Sequence, residues 1–268
     1  MEKKAVFFDL DGTLLNEDKV VLESTKRAVH TLQEKGIYTV ISTGRSPQMF
    51  KWLLDELNIK SYVSMNGQHV VFEGQEIYSN PMDPEMLHNL ASLVKSKGHG
   101  LAYSNHQMSK VNEDNHPHII PSYESLKQVY PLVEPEFYKH FPVHQVQLYC
   151  ERKYAQLYVK RYSDHTFINW GDYASDMLPK GSSKAVGVQK VLEKLGIQKE
   201  NSYAFGDGTN DFEMIDFVGT GIAMGNAVPE LKAIADYVTT SCSENGILDA
   251  LIELGLLETA DVVVDLYR

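Results

Sequence analysis

Near its start the chain carries a short apolar run that leads directly into two acidic residues and a glycine. Ala5–Phe8 is followed by Asp9, Leu10, Asp11 and Gly12. Such a run is typical of a strand buried on both faces in a parallel sheet. Side chains two residues apart on an extended backbone point the same way, so Asp9 and Asp11 can face one small volume. Two crowded carboxylates repel each other unless a divalent cation holds them, which indicates a reaction centre.

Strands and helices alternate regularly at both ends of the chain. The predicted strands are Ala5–Phe8, Tyr38–Ser42, Ser61–Ser64, Ser202–Phe205 and Gly221–Ala223, with a hairpin of His69–Phe72 and Glu76–Tyr78. The predicted helices are Leu22–Lys35, Pro47–Leu57, Ser183–Leu195, Asn210–Phe217, Pro229–Ala235 and Asn245–Leu254. Alternating units of this kind favour an α/β fold with one doubly wound parallel sheet.

The middle of the chain has a different pattern. Val143–Cys150 alternates apolar and polar residues, as in an antiparallel strand with one face in water. The other elements predicted there are the strand pair His165–Trp170 and Tyr173–Leu178 and the helices Pro84–Lys97 and Glu151–Arg161. We therefore predict an α+β domain at 83–178 that is inserted into an α/β domain formed by 1–82 and 179–268.

Composition narrows the possible partners and the compartment. The chain has 25 Lys and Arg against 36 Asp and Glu, a formal net charge of −11, so it has no general attraction for nucleic acid or an anionic membrane. An anionic substrate would need positive charge in its own site. No apolar stretch approaches the roughly 20 residues that span a bilayer. Cys150 and Cys242 lack C-x-x-C spacing, and we expect two reduced, partly buried thiols in a cytoplasmic protein.

Three further clusters lie where predicted strands end or helices begin. Thr43, Gly44 and Arg45 follow one strand, residues 206–211 follow another, and Lys184 lies near the start of a helix. Ligands of open α/β sheets bind beyond the carboxyl ends of the strands, where these clusters should meet the two acids. Backbone N–H groups at a glycine turn before a helix suit phosphate oxygens. A lysine at a helix start opposes the helix dipole unless it meets an anion.

Each cluster also has an ordinary structural interpretation. Thr-Gly-Arg sequences occur in loops that cap helices, and Lys184 by itself would be a solvated surface lysine. A capping role could explain Asn210 or Asp211, but it does not explain Asp207 between two glycines. The clusters therefore indicate a functional site mainly because they occur together and in this order along the chain.

The sequence assigns no catalytic or binding role to two segments. The histidines of the middle segment, among them His116 and His118, lack H-x-x-x-H spacing and a cysteine partner. We expect them to be loop residues that face solvent or substrate and not metal ligands. The final residues, 259–268, run past the last predicted helix as a frayed tail or an added strand.

Together the motifs resemble those of the haloacid dehalogenase superfamily of phosphohydrolases, and within it the Cof-type branch. Residues 8–13 are similar to the first motif, 43–45 to the second, Lys184 to the third and 206–211 to the fourth. Lys180 also lies in the third-motif region, but the position of Lys184 at the helix start matches the family pattern better. The insertion resembles the C2-type cap of the B subtype.

The resemblance implies a Mg²⁺-dependent phosphatase that hydrolyses a small phosphorylated metabolite, with sugar phosphates as the first expectation. It implies that Asp9 is the nucleophile that forms an aspartyl-phosphate and that Asp11 is the general acid and base. The other implied roles are Mg²⁺ binding by Asp9, the Asp11 carbonyl and Asp207, phosphoryl binding by the Leu10 N–H, Thr43, the Gly44 N–H, Lys184 and Asn210, and supporting or substrate contacts from Asp211 and Arg45.

Other functions fit part of the pattern. A phosphotransferase or mutase on the same fold would pass the phosphoryl group to another hydroxyl. A metal-dependent D-x-D glycosyltransferase also uses paired acids, but it leaves Asp207, Asp211 and Lys184 without roles. A binding protein without activity would have little reason to keep all these groups. A P-loop NTPase is excluded because the chain has no G-x-x-x-x-G-K-[ST] motif.

Overall fold

The structure is a computed structural model and describes residues 2–263. The described residues form two compact units, of which the first takes in 2–44, 51–78 and 183–263 and the second 45–50 and 79–182. The domain limits inferred from the sequence, with an insertion at 83–178, stay a prediction. Within 2–263, no helix has both the length and the apolar character needed to cross a membrane.

The elements are numbered in chain order. The strands are β1 Ala5–Phe8, β2 Tyr38–Ser42, β3 Tyr62–Ser64, β4 His69–Phe72, β5 Gln75–Ser79, β6 Gly100–Ser104, β7 Ser109–Val111, β8 Gln145–Tyr149, β9 His165–Asn169, β10 Ala174–Pro179, β11 Ser202–Gly206, β12 Thr220–Ala223 and β13 Tyr237–Val238. The α-helices are α1 Glu23–Glu34, α2 Lys51–Glu56, α3 Pro84–Lys97, α4 Ile119–Ser125, α5 Arg152–Arg161, α6 Lys184–Leu195, α7 Phe212–Phe217, α8 Pro229–Ile234, α9 Gly246–Glu253 and α10 Thr259–Val263.

The first unit is built on an eight-stranded sheet with the order β13-β12-β11-β1-β2-β3-β4-β5. The strands from β13 to β3 pair in parallel, and β4 turns back antiparallel to β3. Strand β1 lies between β11 and β2, and every residue in it is buried. This mainly parallel sheet confirms the predicted α/β class, and the central place of β1 puts Asp9 at the middle of the sheet's carboxyl edge.

Two predicted helices, one after the second motif and one at the fourth, begin as α-helices later than expected. Pro47–Leu57 is a 3-10 turn at Pro47–Met49 followed by α2, because Phe50 leaves helical geometry with φ −131°. Asn210–Phe217 likewise begins as a 3-10 turn at Thr209–Asp211 before α7. In both places a 3-10 turn precedes the α-helix, as is frequent at the N-termini of α-helices.

The second unit contains a five-stranded antiparallel sheet with the order β7-β6-β8-β10-β9. The prediction that β8 has one face in water was wrong, since all five of its residues are buried. Val146 and Leu148 pack in the core with α3, and on the opposite face Tyr149 packs with Ile119 and Tyr123 of α4. A second covering helix, α4, therefore buries the polar face as well.

The histidines of the second unit, expected to face solvent or substrate, do not all face solvent. Three of them are buried: His99, His116 and His144. His99 Nδ1 lies 2.6 Å from the Tyr158 hydroxyl, and His144 Nε2 lies 2.8 Å from the Ser79 hydroxyl. Both rings have a hydroxyl partner. The expectation of solvent exposure was wrong for these three side chains, and the alternative expectation, a contact with substrate, stays a prediction.

The segment after the last predicted helix is partly helical. Thr259–Val263 forms α10, which is neither a frayed tail nor a strand, and the remaining residues of 259–268 lie outside the described part of the chain. Lys35, which follows α1, forms a 2.6 Å ion pair with Asp261. Cys150 and Cys242 are free and buried, as predicted, and burial raises the pKa of the Cys150 thiol to about 11.

Candidate active site

Asp9 is placed by the central strand, and the turn after it is shaped by a glycine. The Asp9 N–H donates to the Phe205 carbonyl at 3.0 Å, which continues the pairing of β1 with β11. Gly12 has φ +81°, a conformation that residues with side chains rarely adopt. A Cβ atom there would also collide with the carboxylate of Asp207. Glycine is therefore required at this turn for two independent reasons.

Lys184 lies at the centre of a buried group of charges. Its Nζ atom is 2.5 Å from Asp9 Oδ1 and 2.6 Å from Asp211 Oδ1, and the side chains of Lys184 and Asp211 are fully buried. This is the lysine favoured from the sequence, whereas Lys180 is exposed in the second unit. The ion pairs explain why a lysine stands at the start of α6.

The charges in this group do not balance. Burial by itself would lower the pKa of Lys184, but the carboxylates of Asp211 and Asp9 raise it above its usual value. Burial raises the pKa of Asp9 well above the normal range, and Lys184 only partly opposes that rise because Asp211 and Asp207 add to it. One ammonium cannot neutralise three carboxylates, so the deficit of positive charge falls on the acids.

Asp207 follows β11 and faces the same cluster. The Thr13 hydroxyl donates to its Oδ1 atom at 3.0 Å. Burial, followed by the nearby Asp211 carboxylate, raises the pKa of Asp207 to about 7. A carboxyl group with this pKa is half protonated near neutral pH unless a cation takes the place of the proton.

Asp9, Asp207 and Asp211 form a group that could hold a metal ion, with one carboxylate oxygen from each lying within 4.8 Å of the others. Oxygen ligands and excess negative charge suit a hard divalent cation. The two oxygens of Asp211 are already used, one by Lys184 and the other by the N–H groups of Asp207 at 3.0 Å and Gly208 at 2.9 Å. Both oxygens of Asp211 are thus engaged by the lysine and the loop, so Asp9 and Asp207 have more capacity left for a cation.

Asp11 has a different environment from Asp9. Its side chain is 32% exposed, and Lys19 Nζ contacts Asp11 Oδ1 at 2.6 Å. Lys19 has φ +59°, in a turn that the Asn16 side chain closes by accepting the Val20 N–H at 3.0 Å. Sequence reasoning missed Lys19, because nothing local shows that a lysine eight positions away folds back onto this acid.

The loop that carries Thr43 and Gly44 contacts the turn at Asn66, which also contacts Asn210. The Asn66 N–H donates to the Thr43 carbonyl at 3.0 Å, and Asn210 Nδ2 donates to Asn66 Oδ1 at 3.2 Å. Thr43 and Asn66 are buried. The Asn66-Gly67 sequence predicts a turn at the sheet edge, and the family resemblance implies that this turn lies close to the site and helps to anchor the cap. Sequence reasoning gave neither residue a role in phosphate binding.

The structure therefore brings most of the predicted residues together. The first unit contains Asp9, Leu10, Asp11, Thr43, Gly44, Lys184, Asp207, Asn210 and Asp211, and Arg45 is buried in the second unit. The group in the first unit combines a buried carboxylate at the end of the central strand, an ammonium group, further carboxylates that suit a cation and a glycine loop. These are the parts that phosphoryl transfer requires, since that reaction depends on positioning and charge neutralisation.

Replacing Asp207 with asparagine is expected to stabilise the metal-free protein above neutral pH. The folded-state pKa of about 7 exceeds the ordinary value of 3.8, so ionising Asp207 costs stability, starting near pH 4 and reaching its full extent above pH 7. Asparagine removes the charge and can still accept from Thr13. We expect a gain in unfolding free energy on the order of 1–3 kcal/mol at pH 8 and a smaller one at pH 5, measured by urea denaturation with chelator. An equal loss of stability at both pH values would contradict this account.

Comparisons with known proteins agree with this geometry. The family model described as haloacid dehalogenase-like hydrolase matches residues 6–251. A putative phosphatase of Bacillus subtilis, YkrA, is 42% identical over 258 residues, covering 96% of this chain and all of the relative. The B. subtilis 5-amino-6-(5-phospho-D-ribitylamino)uracil phosphatase YcsE is 29% identical, covering 92% of this chain and 94% of the relative.

A solved structure of a phosphatase is also similar to this chain. The subclass IIB sugar phosphatase BT4131 superposes with a TM-score of 0.85 at 29% identity, covering 95% of this chain and 100% of that one. A TM-score of this size over nearly the whole chain shows that the two proteins share a fold. Family, fold and relatives thus agree with the motifs, and the chain belongs to the haloacid dehalogenase-like hydrolases as a Cof-type phosphatase, a phosphoric monoester hydrolase of phosphorylated small metabolites.

Proposed function

We propose that this chain is a Mg²⁺-dependent phosphatase that hydrolyses phosphorylated sugars or polyols through an aspartyl-phosphate on Asp9. The observation that carries the proposal is the cluster of buried Asp9, Lys184 and Asp211 with half-buried Asp207 at the end of the central strand. Such a concentration of buried charge costs stability and is explained by a catalytic use.

In the first step an oxygen of Asp9 attacks phosphorus and the bond from phosphorus to the ester oxygen breaks. Asp11 gives a proton to that departing oxygen, so an alcohol leaves. Lys184 holds Asp9 in place and neutralises charge on the transferring group together with the Thr43 hydroxyl and the N–H groups of Leu10 and Gly44. The product of this step is a mixed anhydride of Asp9 with phosphate.

In the second step water attacks phosphorus and Asp11 takes its proton. The bond between the Asp9 oxygen and phosphorus breaks, which releases inorganic phosphate and restores both acids. Mg²⁺, held by Asp9, Asp207 and the Asp11 carbonyl, would supply charge neutralisation for the phosphoryl oxygens. Asn210 completes the phosphoryl contacts, Asp211 fixes Lys184, and Arg45 supports the loop or the substrate.

The relatives support the proposed substrate class. BT4131 is a sugar phosphatase and YcsE acts on a phosphorylated ribitylamino compound, so both accept a phosphate ester on a polyhydroxylated carbon chain. We propose that this chain acts on the same chemical class. Sugar phosphates come first, and the ribityl ester is the natural second candidate.

A phosphate-release screen with Mg²⁺ tests the proposal. We expect turnover of hexose, pentose or ribityl phosphates, with one alcohol formed for each phosphate released. Chelation should lower the rate on the order of 100-fold or more, and added Mg²⁺ should restore it, because the carboxylate cluster then lacks its cation. Full activity in chelator would contradict the metal requirement. Substrate loss without matching phosphate release would instead indicate a phosphotransferase or mutase.

A further inference from the structure

We propose that Asn66 is a positioning residue for the phosphoryl group, one that sets the spacing between the loop of Thr43 and Gly44 and the side chain of Asn210. This inference rests on the proposed function, because it assumes that those groups bind phosphate. The residue follows β3 and lies in the first unit with the catalytic acids.

The backbone around Asn66 is unusual. Met65, Asn66 and Gly67 have φ values of +50°, +53° and +92°, so three successive residues are left-handed. Glycine and asparagine tolerate this conformation, whereas methionine rarely adopts it. A run of this kind persists only where the surroundings hold it in place, and it is common at sites of function.

The contacts of Asn66 join two of the loops expected to hold phosphate. Its N–H donates to the Thr43 carbonyl at 3.0 Å, and its Oδ1 atom accepts from Asn210 Nδ2 at 3.2 Å. Its amide also packs against Gly44 so closely that a Cβ atom at Gly44 would lie 3.1 Å from both the oxygen and the nitrogen. With an exposure of only 1%, the side chain has little freedom to move.

The same turn also packs against the helix that carries Lys184. A Cβ atom on Gly67 would collide with the Ser183 carbonyl, at the first turn of α6. Glycine therefore lets the turn approach this helix closely. The left-handed turn thus contacts the second and fourth motifs and the start of the helix that carries Lys184, and the Asn66 amide is the group through which the second and fourth motifs are joined.

Asn58 provides a control for the backbone itself. It also has φ +48°, but it is exposed, and its backbone carbonyl accepts a weak hydrogen bond from Gln33 at 3.5 Å. Asn58→Gly and Asn66→Gly make the same chemical change in the same backbone conformation. Any difference in activity between them reports the surroundings of the amide and not the preference of asparagine for a left-handed turn.

The experiment compares these two variants with the wild-type enzyme, using a phosphomonoester found in the screen, Mg²⁺, and orthovanadate as a phosphoryl probe. We expect Asn66→Gly to lower kcat/KM about 10- to 100-fold, since small misplacements of reacting groups have effects of that size. Orthovanadate should bind about tenfold more weakly, and Asn58→Gly should match wild type in both readouts. Asn66→Asp should lose more, because it adds a negative charge beside the phosphoryl site.

A double variant separates positioning from folding. If Asn66 acts through Asn210, the effects of Asn66→Gly and Asn210→Ala on kcat/KM should be less than multiplicative when combined. Multiplicative losses, or an Asn66→Gly protein that matches Asn58→Gly, would overturn the proposal. If Asn66→Gly does not fold, Asn66→Ala and Asn58→Ala replace the two glycine variants, since alanine also removes the amide that accepts from Asn210. A wild-type protein that binds orthovanadate but releases no phosphate would contradict the proposed function, while the binding comparison still decides the role of Asn66.

Discussion

Replacing Asp9 with asparagine is expected to abolish phosphate release, with a loss in kcat on the order of 10⁴-fold or more. The amide nitrogen and oxygen are poor nucleophiles towards phosphorus, and the substitution also removes a carboxylate from the cluster that suits a metal ion. The protein should stay folded, because Lys184 keeps its ion pair with Asp211 and the buried group loses one uncompensated negative charge. The measurement is phosphate release under saturating substrate, together with thermal unfolding of the same sample.

Asp55→Asn is a suitable control, since Asp55 is exposed on α2. It should retain wild-type activity and stability, as surface substitutions usually do. Turnover close to the wild-type rate in Asp9→Asn would rule out Asp9 as the nucleophile. Asp11→Asn offers a second comparison: it keeps the nucleophile and removes the group proposed to move protons, so the loss should be greatest for substrates with poor leaving groups.

Replacing Lys184 with methionine is expected to cause the largest loss of stability. The substitution leaves Asp9 and Asp211 buried without their cation, and removing one partner of a buried ion pair costs about 3–5 kcal/mol. The folded-state pKa of Asp9 is already raised and should rise further. The penalty is therefore greatest at high pH, where the acids must ionise, and declines as pH falls and they take up protons. Urea denaturation in chelator at pH 8 and pH 5 measures both effects.

Lys190→Met is the matched control on the same helix. Lys190 is half-exposed and pairs with Glu193 at 3.1 Å, so its loss should change unfolding free energy by less than about 1 kcal/mol at either pH. Lys184→Met should also release no phosphate, whereas Lys190→Met should remain active. A Lys184→Met protein as stable as Lys190→Met at pH 8 would show that the buried acids are protonated or otherwise neutralised without the lysine.

The alternation of strands and helices was readable from the sequence because each signal is local. β1 and β2 occur at the predicted residues, and α1 and α6 lie within one residue of the predicted ends. Apolar runs, a Gly36 or Gly196 after a helix, and polar residues at strand ends depend only on neighbours along the chain. Local signals of this kind place the motifs at the correct edge of the sheet.

The second unit was harder to predict because its elements depend on partners distant in sequence. Strand β8 has a polar face at Gln145 and Gln147, which is the pattern of a solvent-facing strand, yet both side chains are buried. Helix α4, which packs on that side of the sheet, contains Pro121 and two serines and has weak helical character by itself. Strands β6 and β7 were missed for the same reason: they are short and their pairing defines them.

The sequence by itself determined the α/β class, the order of the motifs, and the acids and lysine that phosphoryl transfer needs. Tertiary structure alone decided which polar groups meet. Lys184 contacts Asp9, which lies 175 residues away in sequence, and Lys19 folds back onto Asp11. Asn66 contacts both Gly44 and Asn210. The physical reason is that residue type and spacing encode local geometry, whereas the partner of a buried charge depends on how separate loops converge at one sheet edge. The two carboxylates that follow the first strand therefore have unequal environments, one buried against a lysine and one partly exposed, which residue spacing could not distinguish.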